Sequence, residues 1–324
     1  MKAIVYNEYG SPGVLKLEDI PKPSPGDDQV LVRVHAATVG TWDCECRSFT
    51  FPLWLWLPLR IAMGFRKPRW PVLGQELAGE IEAVGKNVKR FKKGDQVFAS
   101  LGLGFGAHAE YKSLSSNGPI AIKPANMSYE EAAGIPVGGD NALHFLRKAD
   151  IQDGESVLVN GAGGNIGVMA VQLAKHFGAD VTAVDSTEKL DMLRAIGADH
   201  VIDYTKEDFT KSGENYDVIF DLVHNSAYSR CVRSLKPNGR YLLVNPSLFS
   251  MVRGRWTSMT SSKKVVSKFA SSKPEDLIAL KELAEAGKIR AVIDRRYPLE
   301  RAAEAHAYVD TGRRKGTVVL TVET

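Results

Sequence analysis

The sequence predicts an α/β protein that combines a mainly antiparallel sheet with a doubly wound parallel sheet. Within the first 120 residues, short strand-like runs are separated by turn clusters such as residues 21–28, which is typical of antiparallel strands. From residue 156 onward, apolar strands alternate with helical patterns. That rhythm favours a parallel sheet covered by helices on both faces.

Local patterns place the elements of each part. The expected strands are short apolar or alternating runs at residues 3–6, 29–36, 79–84, 96–99, 108–112, 156–160, 181–184, 201–203, 218–221, 241–244 and 317–322. Ser128 and Glu131 form a capping-box signature that opens a helix. Further helices are expected at residues 166–177, 188–196 and 274–286, and Gly178 and Gly287 end the first and the last of these.

The most informative segment is a glycine-rich turn between the strand at 156–160 and the helix that follows it. Glycines are needed there because a side chain would keep the backbone from approaching a pyrophosphate, and because the last glycine lets helix and strand pack closely. Amides at the helix N-terminus then bind the phosphates. The residues assigned to this role are Gly161, Gly163, Gly164, Asn165, Ile166 and Gly167. The segment predicts a dinucleotide-binding unit.

An acid at the end of the next strand indicates which dinucleotide binds. Asp185 stands eighteen residues after Gly167, where a carboxylate accepts hydrogen bonds from the adenosine ribose hydroxyls and repels a 2′-phosphate. Ser186 and Lys189 favour the phosphate instead. We expect NAD(P)H as the cofactor, with NADH favoured by Asp185.

Composition excludes several other classes of protein. The 324 residues are enough for about two domains, and a net charge of +4 gives little reason to expect nucleic acid as a partner. Three cysteines are too few for a disulfide framework, and Cys44 and Cys46 are interpreted as reduced thiols rather than as part of a zinc site. The first ten residues lack the apolar core of a secretory signal, so we expect a cytoplasmic protein.

With these elements in place, the chain resembles the medium-chain dehydrogenase/reductase superfamily, specifically its zinc-independent quinone-oxidoreductase-like branch. The segments that carry the resemblance include VLGQELAGEIEAVGKNVKRFKKGDQVFA at 72–99, KPANMSYEEAAGIPV at 123–137, NGAGGNIG at 160–167, IGADHVIDYTKEDF at 196–209 and YDVIFD at 216–221. The resemblance implies a GroES-like catalytic domain at 1–124 and 274–324, a Rossmann-like cofactor domain at 125–273, and an active site in the cleft. It also implies a homodimer, with residues 265–269 as the strand that pairs between subunits.

Departures from the zinc alcohol dehydrogenases of this superfamily bear on the chemistry. Those enzymes have a cysteine and a histidine as catalytic metal ligands, and the matching positions here are Gly40 and Gln75. Neither residue replaces the ligands that zinc prefers, and the four-cysteine lobe is missing as well. The sequence therefore predicts no bound metal. Without a metal, hydride transfer favours substrates whose conjugation already lowers the barrier.

Residues around the expected nicotinamide can be named only as candidates. They are Trp42, Gln75, Asp140 and Asn245. Relatives often have asparagine in place of Gly40, and Asp140 lies where they usually have threonine and alanine, so the family's residues cannot be copied onto this chain. Trp42 can equally belong to the core, and Asp140 to the surface of a helix.

Two segments have no explanation in the family. Residues 49–61 are the most apolar segment and contain two prolines, which leaves a substrate rim, a core loop and a membrane-surface anchor as interpretations. Residues 248–273 mix basic residues, among them Lys268, with Met251, Trp256 and Met259. Such a stretch is either a solvated face or a surface that attracts anionic lipid or an acidic partner.

The leading functional hypothesis is therefore a metal-independent NAD(P)H-dependent reductase of a small hydrophobic quinone, enone or similar activated carbonyl. Two alternatives remain open. One is an oxidoreductase of the alcohol dehydrogenase type, which would need a base that the sequence does not supply. The other is a non-catalytic, cofactor-binding regulatory or structural protein, because fold does not fix function.

Overall fold

The computed structural model describes residues 1–267, 270 and 272–322. The chain divides into two compact units. The first unit consists of Met1–Val137 and Ser272–Thr324, and the second unit is Gly138–Ser271. The first compact unit extends to Val137, whereas the resemblance implies a domain boundary after residue 124. The reason is that the short helix Tyr129–Ala133 packs on strands of the first unit.

The first unit begins with a series of strands and a few helices. They are β1 (Lys2–Val5), β2 (Lys16–Asp19), β3 (Gln29–Val39), α1 (Thr41–Ser48), α2 (Leu53–Met63), β4 (Glu76–Val84), β5 (Gln96–Ser100), β6 (Tyr111–Ser115), β7 (Ile120–Ile122) and α3 (Tyr129–Ala133). The second unit follows with α4 (Pro136–Ala149), β8 (Ser156–Asn160), α5 (Asn165–His176), β9 (Asp180–Asp185), α6 (Leu190–Ala195), β10 (His200–Asp203), β11 (Tyr216–Asp221), α7 (Tyr228–Arg233), β12 (Leu235–Leu243), α8 (Leu248–Thr260) and β13 (Lys264–Ser267). The chain then returns to the first unit with α9 (Pro274–Glu285), β14 (Ile293–Pro298), α10 (Ala302–Asp310) and β15 (Thr317–Thr321).

The sheet of the first unit is mainly antiparallel, which confirms the prediction. Its strand order is β14-β15-β3-β4-β5-β7, and β6 pairs with β3 outside that path. The long strand β3 pairs antiparallel with β4, β6 and β15, so strands from both ends of the chain meet on it. Its inward side chains, such as Val30, Val32 and Val34, are fully buried and form the centre of this core.

The sheet of the second unit is parallel throughout, in the order β10-β9-β8-β11-β12-β13. The chain order reverses between β8 and β11. Asn160 is in register with Val184 and with Asp221, so these strands end at the same level. In open parallel sheets ligands bind outside the carboxyl ends of the strands where the order reverses, and the structure therefore points to this edge.

Several helix ends confirm the signals read from the sequence. The Ser128 hydroxyl accepts a hydrogen bond from the Glu131 amide at 3.2 Å, and the Glu131 carboxylate accepts one from the Ser128 amide at 2.8 Å. Gly178 and Gly287 follow α5 and α9 with φ of 85° and 68°, the left-handed conformation that glycine tolerates. The capped helix is nevertheless short, because Gly134 and Pro136 interrupt it.

Both segments without a family explanation contain helices that were not predicted. In the first, α2 starts after Pro52, and its first turn closes when the Leu55 and Trp56 amides donate to the Pro52 carbonyl oxygen. Pro58 lies inside this helix, and Leu53, Leu57 and Ile61 are exposed along one side. In the second, Ser247 caps α8, and β13 follows; Lys268 and Phe269 of the expected inter-subunit strand lie outside the described residues.

Candidate functional site

The glycine turn after β8 is built by four glycines with different physical roles. Gly161 has a φ of 87°, which an L side chain rarely adopts. A Cβ atom on Gly167 would lie 2.5 Å from the Gly161 carbonyl oxygen, and one on Gly163 would lie 2.8 Å from the Asp185 carboxylate. Gly164 precedes α5, and a Cβ atom there would meet nothing within 4 Å. Three glycines are therefore required by internal packing or conformation, while Gly164 faces open space.

Asp185 joins this turn to the end of β9. One of its oxygens accepts a hydrogen bond from the Gly163 amide at 2.7 Å, and the other accepts from the Ser186 amide at 2.8 Å. The Lys189 ammonium lies 3.1 Å from the second oxygen, and both side chains are almost completely buried. Asp185 and Lys189, to which the sequence assigns opposite effects on the choice between NADH and NADPH, are therefore partners in one buried ion pair.

Asp203, which the sequence reasoning missed, holds the turn that carries Lys189. It is in register with Asp185 at the end of β10. Its carboxylate accepts hydrogen bonds from the hydroxyls of Thr187 and Thr205 and from the Thr205 amide. The Thr187 bond first, and then the Thr205 bonds, hold the pKa of Asp203 well below its usual range. The short spacing from Asp203 to Thr205 was the available signal.

The ends of β8, β11 and β12 are connected through Asp221. Its buried carboxylate accepts hydrogen bonds from the Tyr241 hydroxyl at 2.7 Å and from the Asn160 side-chain amide at 2.9 Å. Burial raises the pKa of Tyr241 far above its usual value, so the phenol remains a proton donor in this bond. Asn245 comes just after β12, is exposed, and has a φ of 52°, a conformation that asparagine adopts more readily than most residues.

In the first unit, Asp43 fixes the segments that carry Trp42 and Gln75. One oxygen of its buried carboxylate accepts a hydrogen bond from the Gly40 amide at 2.9 Å, and the other accepts from the Gly74 amide at 3.0 Å. Burial raises the pKa of Asp43. The start of α1 and the segment before β4 are thus held together by one side chain, which bonds Gly40 and the residue next to Gln75.

Trp42 and Gln75 have different surroundings. The half-buried ring of Trp42 lies 5.2 Å from that of Phe51, and its indole N–H has no hydrogen-bond partner among the described residues. The side-chain amide of Gln75 donates to the Gly102 carbonyl oxygen at 3.2 Å. The main-chain carbonyl oxygen of Gln75 accepts a hydrogen bond from the Leu101 amide at 2.6 Å. Gln75 is therefore tied to the glycine-rich loop that contains Leu101 and Gly102.

Glu45 is a further candidate that the sequence reasoning missed. It follows Trp42 by three residues on α1, a spacing that puts the two on the same face of the helix. Its carboxyl is half-buried, and burial raises the pKa of Glu45. The signal available in the sequence was this helical spacing, but α1 itself was not predicted.

Asp140 and Asn245 belong to the second unit, whereas Trp42 and Gln75 belong to the first. Asp140 lies on α4 and is buried, with 2% of its surface exposed, so the interpretation as a surface acid is wrong. Gly138, two residues before it, allows close packing, since a Cβ atom there would lie 2.6 Å from the Asn165 side chain. This places the start of α4 against the N-terminal end of α5.

The described part of the chain contains neither a cluster of metal ligands nor a helix that could span a membrane. No group of three or more His, Cys, Asp or Glu side chains there is arranged to hold a metal ion. Likewise, none of the helices within the described residues combines the length and the apolar character needed to cross a membrane.

Comparison with known proteins places these features in a family. Residues 26–124 match the alcohol dehydrogenase GroES-like domain, and residues 196–320 match the family described as zinc-binding dehydrogenase. The 2-methylene-furan-3-one reductase of Solanum lycopersicum is 34% identical over 99% of this chain and 79% of its own length. The chloroplastic NADPH-dependent alkenal/one oxidoreductase of Arabidopsis thaliana is 35% identical over the same shares of the two chains.

A solved structure agrees with the sequence matches. The quinone oxidoreductase of Coxiella burnetii is 30% identical to this chain, covers 100% of it with 99% of its own length, and superposes with a TM-score of 0.87. The fold with its mainly antiparallel sheet and its parallel six-stranded sheet is thus like that of this structure over the full length. The chain belongs to the medium-chain dehydrogenase/reductase superfamily, in its quinone-oxidoreductase-like branch.

Proposed function

We propose that this protein is an NAD(P)H-dependent reductase that delivers hydride, without a metal, to a quinone, an enone or a similar activated carbonyl. The observation that carries the proposal is the open face of Gly164 at the start of α5, on the edge of the sheet where the strand order reverses. The names of its relatives add support, because they describe reductases of a quinone, an alkenal or alkenone, and a methylene-furanone. These substrates are conjugated carbonyl compounds.

The cofactor residues follow from the geometry of the turn. Gly164 and the first amides of α5 would hold the pyrophosphate, since the amides would donate hydrogen bonds to it and the positive end of the helix dipole would attract it. Asp185 and Ser186 meet the adenosine ribose, and Lys189 holds the Asp185 carboxylate in place. The full set is Gly161, Gly163, Gly164, Asn165, Ile166, Gly167, Asp185, Ser186, Lys189 and Asn245. The bound dihydronicotinamide supplies the hydride.

We propose that Trp42 and Gln75 of the first unit orient the substrate, and Asp140 of the second unit stays a candidate. Reduction of a conjugated carbonyl places negative charge on its oxygen, and a hydrogen-bond donor aimed at that oxygen stabilises it. The Trp42 indole N–H is suited to this role because no described residue accepts its hydrogen bond. We propose Glu45 as the source of the proton that completes the reaction, because it lies on the same face of α1 as Trp42 and because burial raises its pKa.

The side chains at the positions that match the metal ligands of the zinc enzymes are poor donors for zinc. Gly40 has no side chain, and the Gln75 amide is engaged with Gly102. Asp43 is engaged with two backbone amides. Zinc prefers thiolate and imidazole ligands, and the side chains at these positions do not supply them.

We also propose a cytoplasmic homodimer. The three cysteines of the chain are buried and unpaired, which suits a reducing compartment. Strand β13 pairs with β12 on one side and ends the described order of its sheet on the other, so it offers an edge that can pair with the same strand of a second copy.

A substrate panel tests the reaction class. We expect oxidation of NADH in the presence of quinones, enals or enones, with simple alcohols inactive as hydride donors to NAD. Elemental analysis should find less than stoichiometric zinc, and chelators should leave the rate unchanged. Stoichiometric zinc that survives dialysis would overturn metal independence, and cofactor binding without turnover of any acceptor would favour the non-catalytic alternative.

Two glycine substitutions separate cofactor binding from stability. Gly164→Ala adds a methyl group over the pyrophosphate site and should weaken NADH binding at least about tenfold, which is about 1.4 kcal/mol, with little loss of stability. Gly167→Ala places its methyl group against the Gly161 and Ala162 backbone and should lower the free energy of unfolding by about 1–3 kcal/mol. Titration calorimetry and chemical denaturation measure the two effects. Normal NADH affinity in Gly164→Ala would argue against this turn as the phosphate site.

Substitution of Asp185 tests the preference for NADH. In Asp185→Ser the carboxylate that repels a 2′-phosphate is lost, and Lys189 is released to bind one, so affinity should shift from NADH toward NADPH. The matched control is Asp199→Ser, which removes an acid paired with Lys175 at the edge of the same unit. Fluorescence titrations with both cofactors give the ratio. If the unaltered protein binds NADPH as tightly as NADH, Lys189 dominates and the proposed preference is wrong.

Replacement of Glu45 tests the proton source. Glu45→Gln should lower kcat for enals and enones while cofactor affinity stays unchanged. The rate of the unaltered protein should fall as pH rises through the pKa of Glu45, because the donor loses its proton, and the variant should lack this pH dependence. Glu8→Gln, at an exposed position, is the control. An identical pH profile in Glu45→Gln would remove Glu45 from the mechanism.

A further inference from the structure

Helix α8 presents its large apolar side chains to solvent. Phe249, Val252, Trp256 and Met259 are each more than two-thirds exposed, and Leu248 is 55% exposed. At 3.6 residues per turn these five positions lie within an arc of about 100° on one side of the helix. We call this arc the apolar stripe. A stripe of this kind normally faces the core of its own protein, and here it faces away.

The opposite side of α8 carries small and polar residues, and this side packs against the rest of the protein. Gly254 packs so closely on β13 that a Cβ atom would lie 2.8 Å from Val265. The Ser258 hydroxyl accepts a hydrogen bond from the Val265 amide at 2.9 Å, and the Thr257 hydroxyl accepts one from the Tyr228 hydroxyl at 2.9 Å. Docking of the helix is therefore complete without the apolar stripe.

The segment of the sequence that contains α8 carries charge of one sign. Between Asp221 and Glu275 the sequence has ten Lys and Arg residues and no Asp or Glu, whereas the rest of the chain has six more acids than bases. Arg255 is exposed on one side of the apolar stripe, and Arg253 lies on the other, with its guanidinium over the Tyr228 ring. Exposed Lys264 follows at the start of β13. A positive rim thus borders the stripe.

We propose that α8 docks in the plane of an anionic lipid bilayer, with the apolar stripe in the interface and the basic rim on the head groups. An amphipathic helix with basic residues beside an apolar face binds such a surface by combining apolar burial with attraction to anionic lipid. Its 13 residues are too few to span a bilayer, so it lies along the surface. A second copy of the chain is a poorer occupant, because two stripes face to face would bring like-charged rims together. This property goes beyond the proposed reaction and does not depend on it.

Vesicle binding by the whole protein tests the proposal. Co-sedimentation with vesicles of phosphatidylcholine containing about 30% phosphatidylglycerol should exceed that with phosphatidylcholine alone and should weaken as salt screens the charges. Val252→Ser with Trp256→Ser should reduce binding at least about tenfold. Arg255→Gln with Lys264→Gln should reduce it by about fivefold for each charge removed. The matched controls are Ile278→Ser on α9 and Lys93→Gln, both exposed and outside this region.

Two further measurements decide the result. Melting temperature and reductase rate should be unchanged in every variant, since the substituted side chains are exposed and lie outside the cofactor site. Sedimentation velocity gives the oligomeric state. Equal binding to neutral vesicles, or full binding by the Val252→Ser, Trp256→Ser variant, would overturn the proposal. Loss of a dimer in that variant, without vesicle binding by the unaltered protein, would assign the apolar stripe to contact with a second copy.

Discussion

Buried polar groups at the carboxyl ends of the parallel strands have to be hydrogen-bonded, and this requirement organises the second unit. Asp185 and Asp221 are almost completely buried at the ends of β9 and β11. An unpaired carboxylate in such surroundings costs several kcal/mol, so each is satisfied by the turns around it. Asp185 draws in the Gly163 amide, and Asp221 draws in Asn160 and Tyr241. The network fixes the edge at which Gly164 is left open.

In the first unit, a buried carboxylate joins two segments of the chain. Asp43 bonds the amides of Gly40 and Gly74, so the segments on which Trp42 and Gln75 lie are fixed relative to each other. A zinc ion would fix them by coordination and would also polarise the substrate. The carboxylate supplies only the first of these effects. In the reaction that we propose, activation would rest on conjugation within the substrate and on hydrogen-bond donors, which would restrict the range of carbonyl compounds that can react.

Local signals explain what the sequence could predict. The glycine turn, the capping box at Ser128 and the ends of α5 and α9 depend on residues within a few positions of each other, and each was found. Helices α2 and α8 were missed because they break the local rules: α2 contains Pro58, and α8 exposes its apolar side. The partners of Asp43, Asp185 and Asp221 are set by packing of distant segments, so the sequence could name Asp185 but could not show that Lys189 neutralises it.

Strand β3 pairs with β15, so residues 36–39 of the first unit hydrogen-bond to residues 318–321. During synthesis at about 5–20 residues per second, β3 leaves the ribosome roughly 10–60 s before its partner strand exists. The second unit is encoded entirely between the two and carries its own core and its own complete parallel sheet. The second unit can therefore fold while β3 still lacks its partner strand β15. The first unit begins first along the chain, but its sheet is completed last, when β15 pairs with β3. Until then, the edge of β3 that binds β15 is open to pairing with other chains.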